Sequence, residues 1–477
     1  MLFNSFAFLL FFPFVCLIYW LLSPKYRNVF LLLSSYYFYM NWQPVYGLLI
    51  LFSTLVTYLC GRGIQQHTPP HKKKIILLSS LLINLGILFV FKYANFISSS
   101  FNDLFTTLHI KMEVPLLDIL LPVGISFYTF QAIGYTIDVY RGDIPAEKNF
   151  ITYALFVSFF PQLVAGPIER AKNLLPQFHR PHIFDAVKAV EGFRLILWGY
   201  FMKVVISDRL AVYVDSVYNN ISHHTSITLV LATVFFAFQI YCDFGGYSNI
   251  AIGCAKVMGF DLMTNFRRPY LATSVADFWR RWHISLSTWF KDYVYIPLGG
   301  NRCRKSRNYL NLFITFVVSG VWHGANWTFV VWGALNGFFQ IIGKITGNIY
   351  EKLFAGKRFR LSPKISHGWN VITTFILILV TWVFFRANSV ADAFCVFDRI
   401  MFSHGRLFTN NIDSLIYGIF FILFLVTIEI LQEKHEGRNL LLENKRAVVR
   451  YVSYLGLILL IIMLGVLDSS QFIYFQF

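Results

Sequence analysis

Of the twelve histidines in this chain, His323 stands where an ionisable ring is hardest to account for. It lies in Ser319-Gly320-Val321-Trp322-His323-Gly324-Ala325-Asn326-Trp327-Thr328, between the apolar stretches 309–320 and 327–346, with a glycine three residues before it and another directly after it. Ten other histidines fall in hydrophilic loops or their margins, His67 among them, and His283 lies in an aromatic segment. Within a membrane an ionisable side chain marks a functional site by default. Burial disfavours imidazolium, so the ring stays neutral and able to take a proton, as a general base does. The plain alternative is a histidine whose two nitrogens bond neighbouring helices. The residue types alone leave both open.

Two further segments carry polar chemistry. Ser274 followed by Asp277 resembles a capping box, and Phe278, Trp282, Leu286 and Trp289 then recur at helical spacing. This predicts one amphipathic helix over 274–290 at the inner membrane face, with Arg280 and Lys291 elsewhere on the wheel. Lipid headgroup anchoring explains Arg280 and Arg281 but not His283. The window 248–308 holds ten Lys/Arg against three acids, and Tyr295-Ile296-Pro297-Leu298-Gly299-Gly300-Asn301-Arg302 adds a donor-rich turn. A phosphate-bearing cytosolic substrate would suit such a place, and so would anionic lipid. Upstream, Asp243-Phe244-Gly245-Gly246 puts an acid and two glycines at the expected end of an apolar helix. A capping role is the plain reading there, but an acid at that depth must find a partner.

The elements that position these residues follow from composition. The 477 residues are 56% hydrophobic, 19% aromatic and only 14% charged, too apolar for a soluble globule. Segments near 3–22, 28–40, 45–60, 75–97, 116–138, 186–206, 227–247, 309–320, 327–346, 369–386, 414–432 and 451–468 are candidate spans. Two are short, which gives an all-α polytopic membrane protein with about 11–12 transmembrane helices. Residues 150–166 are apolar but broken by Pro161, Gly166 and Pro167, and are expected to be re-entrant. With the N-terminus outside, cytoplasmic loops hold 31 basic residues and the outer loops four. That split places both termini outside and assigns the net charge of +17 to topology and not to nucleic acid. Six scattered cysteines without CxxC spacing argue against a disulfide or zinc framework, and no metal site is expected.

Four pieces then fit one pattern: Pro161-Gln162-Leu163-Val164-Ala165-Gly166-Pro167-Ile168, Tyr241-Cys242-Asp243-Phe244-Gly245-Gly246-Tyr247-Ser248, Phe278-Trp279-Arg280-Arg281-Trp282-His283-Ile284-Ser285-Leu286-Ser287 and Ser319-Gly320-Val321-Trp322-His323-Gly324-Ala325. The chain resembles the membrane-bound O-acyltransferase (MBOAT) superfamily, in its bacterial polysaccharide branch of the alginate type. The ending Ser469-Ser470-Gln471-Phe472-Ile473-Tyr474-Phe475-Gln476-Phe477 is similar to that branch too.

The resemblance implies a single integral acyltransferase domain over 1–477, with a motif-bearing core at 120–346 and C-terminal transmembrane helices at 369–477. It implies a funnel open to the cytosol that admits an activated acyl group, expected to be acetyl-coenzyme A, with no bound cofactor. A carrier protein is the alternative donor, as in the relative that alanylates teichoic acid. His323 matches the family's invariant catalytic histidine and His283 a second, nearby histidine position. Arg280, Arg281, Asp243, Asn326 and Trp322 are expected at the substrate, and amides near Gly324 or the Asn326 side chain are candidates for the oxyanion. The expected partners are the acyl donor, membrane lipids and an extracytoplasmic polysaccharide O-acetylation protein. The rival class is a transporter or flippase of a polysaccharide precursor, which would not consume the donor; a scaffold would keep its function without His323.

Overall fold

The computed structural model describes residues 1–66, 69–354, 362–409, 412–466 and 473. The family-like ending 469–477 therefore lies outside the described residues except for Ile473, and His67 lies outside them too. The described residues are helical, with no strand among them. Among the described residues seven helices are long and apolar enough to cross a membrane: Tyr46–Gln66, Pro70–Thr107, Ser226–Val257, Trp327–Gly347, Pro363–Arg386, Leu415–Lys434 and Ala447–Leu464. Phe6–Leu21 is a shorter apolar helix. The chain is a multi-pass membrane protein.

Two compact units can be distinguished: Met1–Ile196 with Ser248–Met263, and Leu197–Tyr247 with Thr264–Phe477. In the first, some polar groups inside the helix packing bond one another, as a membrane interior favours. Ser53 Oγ donates to Asn84 Oδ1 at 2.6 Å, and the Tyr153 hydroxyl donates to Thr57 Oγ1 at 2.7 Å. The expected break in 150–166 is present. Phe150–Ser158 ends at Phe159, whose ψ of 112° turns the chain into the short helix Phe160–Leu163. Residues 152–171 are buried throughout, and the backbone freed by the break is bonded: Phe160 N–H donates to Ser35 Oγ at 3.1 Å, and Gln162 Nε2 donates to the Phe156 carbonyl at 2.9 Å.

One expected span is shorter than the hydropathy suggests. Helix begins only at Ile125, after Pro122 and a left-handed Gly124 at φ +75°. Residues 110–122 are not helical and are braced by two asparagines of the helix Ala94–Thr107. Asn95 and Asn102 each pair, through both side-chain atoms, with the main chain of Leu117 and Val114 at 2.8–3.0 Å. Apolar composition could not reveal this, because the two asparagines supply in advance the backbone partners a helix would have supplied.

The second unit holds both candidate histidines, His283 and His323. Its core is aromatic, with Trp282, Trp332 and Trp382 each no more than 1% exposed. The helices Lys305–His323 and Trp327–Phe354 form a tight hairpin across Gly324–Asn326. Closeness there depends on glycine: a Cβ on Gly324 would lie 2.1 Å from the Phe329 ring. Ser226–Val257 does not end at Tyr247 as expected. It runs through the two glycines, and Gly246 packs where a Cβ would lie 2.7 Å from the Gly199 carbonyl oxygen. The glycines serve close helix packing, not a break.

Candidate functional site

His323 ends its helix and is 3% exposed. Three aromatic rings box it: Trp322 at 5.0 Å, Trp332 at 4.9 Å and Phe385 at 5.5 Å between centroids, all near perpendicular. Trp332 comes from the returning helix of the hairpin, and Phe385 from the end of Pro363–Arg386. Such a box shields the imidazole from bulk water.

The segment 274–290 is not one helix. It breaks into Val275–Arg281 and Ile284–Phe290, and His283 sits in the break with φ +43°. The capping box at its start is real: Ser274 Oγ accepts from Asp277 N–H at 3.1 Å, and Asp277 Oδ2 accepts from Thr273 N–H at 3.3 Å. Spacing could not show the break because it is imposed from a distance. The Asn265 carbonyl accepts from Ile284 N–H at 2.9 Å and the Arg281 carbonyl from Arg267 N–H at 2.9 Å. His283 is fully buried, faced by Phe244 at 4.6 Å and Trp322 at 6.1 Å. Burial pushes its imidazolium pKa down to about 3, so the ring is neutral at physiological pH. Trp322 therefore touches both imidazoles.

A cavity of about 610 Å³ opens in the same unit. Its wall includes Ser319, one helical turn before His323, and Ile284, the residue after His283. Phe316, Trp279 and Leu286 make much of the lining apolar, and Arg280, Lys291 and Lys344 supply three cations. An apolar cleft with a few placed cations suits a ligand that carries both a greasy arm and phosphates.

The other expected residues separate. Arg280 lines the cavity, with its side chain 73% exposed. Asp277 reaches Arg280 only at 3.8 Å and holds Arg281 more closely at 3.0 Å; Glu433 is 2.9 Å from Arg281 and also pairs with Arg268 at 2.5 Å. Asp243 lies inside a buried charge cluster: Lys203 Nζ is 2.5 Å from Asp243 Oδ1 and 2.8 Å from Asp208 Oδ1, while Asp243 Oδ2 accepts from Ile473 N–H at 2.8 Å. Asn326 caps the returning helix, with Oδ1 accepting from Thr328 N–H at 3.0 Å and Nδ2 donating to the Asn388 carbonyl at 3.0 Å. Both ends of that amide are thus committed to holding the hairpin.

Sequence reasoning missed Trp332, Phe385 and Asn265. Tryptophans in the middle of apolar spans, away from the membrane boundary where they collect, were the available signal for Trp332. Asn265 carried none. Among the described residues no group of His, Cys, Asp and Glu could hold a metal ion.

Comparison with known proteins identifies the family. A family model described as the membrane-bound O-acyltransferase family matches residues 144–388. The chain is 40% identical over 436 residues to the probable alginate O-acetylase AlgI of Pseudomonas aeruginosa, covering 89% of this chain and 80% of that protein. It is 34% identical over 410 residues to the peptidoglycan O-acetyltransferase of Helicobacter pylori, with 80% and 75% covered. A teichoic acid D-alanyltransferase of Bacillus subtilis is 26% identical over 291 residues, covering 59% of this chain and 70% of that protein.

Proposed function

The chain belongs to the membrane-bound O-acyltransferase family and is an O-acyltransferase; from that premise we propose that it takes an acetyl group from acetyl-coenzyme A on the cytosolic side and passes it to an extracytoplasmic polysaccharide of the alginate type, directly or through a partner protein. The observation that carries this reading is the cavity: Arg280, Lys291 and Lys344 line it, and its wall includes Ser319, one turn from His323. The cations suit the donor's phosphates, and the apolar wall suits its pantetheine arm.

In the proposed reaction, neutral His323 takes the proton of the acceptor hydroxyl as the oxygen attacks the thioester carbonyl. The new C–O bond forms, the C–S bond breaks, and the departing sulfur is protonated as free thiol. Positioned proton transfer of this kind contributes about 10²–10⁴-fold. His283, neutral and buried beside Trp322, serves the donor end. Sidedness follows the 31-to-4 distribution of basic residues, which supports cytosolic loops at 61–74 and 433–450 and termini outside. Reporters fused after Lys74 and Lys445 test that orientation.

The decisive experiment supplies purified protein with labelled acetyl-coenzyme A and alginate oligomers, and follows free thiol together with label on the acceptor. Both are expected. Thiol release only from an acetylated carrier protein would overturn the donor, and label on peptidoglycan fragments but not alginate would overturn the acceptor.

A further inference from the structure

The proposal here rests on the reading of His283 as a group in the reaction. We propose that Asn265 is a positioning residue that holds His283 as the Nδ1–H tautomer, so that Nε2 carries the lone pair that accepts a proton. Asn265 Oδ1 meets three groups: Ser285 N–H at 3.3 Å, Ser285 Oγ at 3.0 Å and His283 Nδ1 at 3.1 Å. Asparagine oxygen and nitrogen are hard to tell apart by shape, so the assignment needs chemistry. A main-chain N–H can only donate. The Asn265 atom facing Ser285 N–H is therefore the carbonyl oxygen, which can only accept. Since that same oxygen faces His283 Nδ1, the hydrogen must sit on Nδ1. A neutral imidazole has one N–H, so Nε2 is left as the acceptor.

The ring is neutral for an independent reason. Burial is the cause of its low pKa. The elements against it are Ser226–Val257, the loop 264–268 and Lys305–His323, which present Phe244, Phe266 and Trp322 to the ring. Their nearest titratable groups along the chain are Asp243, Arg267 and His323. The main chain is fixed as well. The two bonds from 265–267 to 281–284 hold His283 at φ +43°, a conformation uncommon for any residue but glycine. Strain of this kind persists only where surrounding structure imposes it, and it gathers at functional sites. The main chain of 265–267 thus fixes the backbone of His283, and the Asn265 side chain its protonation pattern.

The test compares Asn265→Asp, Asn265→Leu and His283→Ala by acyl-transfer kinetics across pH, with thermal unfolding on each preparation. Asn265→Asp keeps the acceptor oxygen but places a carboxylate against Nδ1, which raises the His283 pKa. Its rate should match the parent at high pH and fall as pH drops through the raised pKa, giving an acid limb that the parent lacks. Asn265→Leu removes the acceptor; kcat should fall about 10²-fold with the donor KM unchanged. A role confined to structure would lower melting temperature without creating the acid limb. If the Asn265→Asp profile superposes on the parent while His283→Ala abolishes transfer, the positioning role is overturned and the His283 reading stands. Full transfer by His283→Ala overturns both.

Discussion

Gly320 and Gly333 face each other across the hairpin so closely that a Cβ on Gly320 would lie 2.2 Å from the Phe329 carbonyl oxygen and 3.1 Å from the Gly333 Cα. The obstacle is backbone, so neither helix can give way cheaply. Gly320→Ala should cost about 1–3 kcal/mol as the hairpin is forced apart. His323 lies less than one turn further on, so activity per folded molecule should fall as well. Parallel measurement of melting temperature and specific activity checks this, and a fully active, fully stable alanine variant would contradict the packing.

His323→Ala should insert and fold but lose acyl transfer. The ring contributes packing against Trp322, Trp332 and Phe385, so removing it leaves a cavity that costs about 2–5 kcal/mol. A structural histidine predicts a similar loss of stability but near-normal activity in the molecules that remain folded. Normal specific activity in the alanine variant ends the proposed role as base.

Arg280 and Arg281 are adjacent in sequence but should behave differently. Arg280→Ala removes a cation from the cavity wall and should raise the KM for a coenzyme A thioester severalfold, with kcat little changed. Arg281→Ala breaks the pairs with Asp277 and Glu433. These are partly exposed, so the cost should be within about 1 kcal/mol, with KM unaffected. An unchanged KM in Arg280→Ala would point to lipid anchoring.

The remaining expectation concerns pH. Glu169 is buried in the first unit, where it accepts from Met263 N–H and, at 2.8 Å, from Asn173 Nδ2. Burial outweighs those bonds and pushes its carboxyl up to about 7. An unfolded glutamate titrates near ~4.3. The folded chain thus binds this proton more tightly, and the stability linked to it is full below the unfolded pKa. It declines as pH rises towards about 7, a loss on the order of 3 kcal/mol across the window. Glu169→Gln should flatten that decline. Thermal melts of both proteins at about pH 5 and about pH 8 measure it, and parallel behaviour would refute the shift.

How far the site was legible depended on whether its parts are neighbours in sequence. His323 stood out because a polar ring between two apolar runs needs no partner to be noticed. The break in 150–166 was legible through Pro161 and Gly166, since proline and glycine act locally. The break at His283 was not. Leu286 and Trp289 continue the stripe of Phe278 and Trp282, and only main-chain bonds from residues 265–267 interrupt it. Asp243 announced that it needed a partner, but nothing nearby identified Lys203, forty residues earlier on another helix. The aromatic box escaped for the same reason, because Trp332 and Phe385 reach His323 only after three helices have packed.

The charges of Lys203, Asp208 and Asp243 bear on how the chain is made. Asp243 lies within Ser226–Val257, and Lys203 in the preceding helical segment Phe201–Ser207. Each would add about 2.5–3.5 kcal/mol to the insertion of its own segment at the bilayer centre. Once Nζ and the two carboxylates meet, that penalty is largely offset. The two segments are therefore poor candidates for release into lipid one at a time. Their biogenesis favours joint departure from the translocon, with the earlier segment retained until the later one arrives.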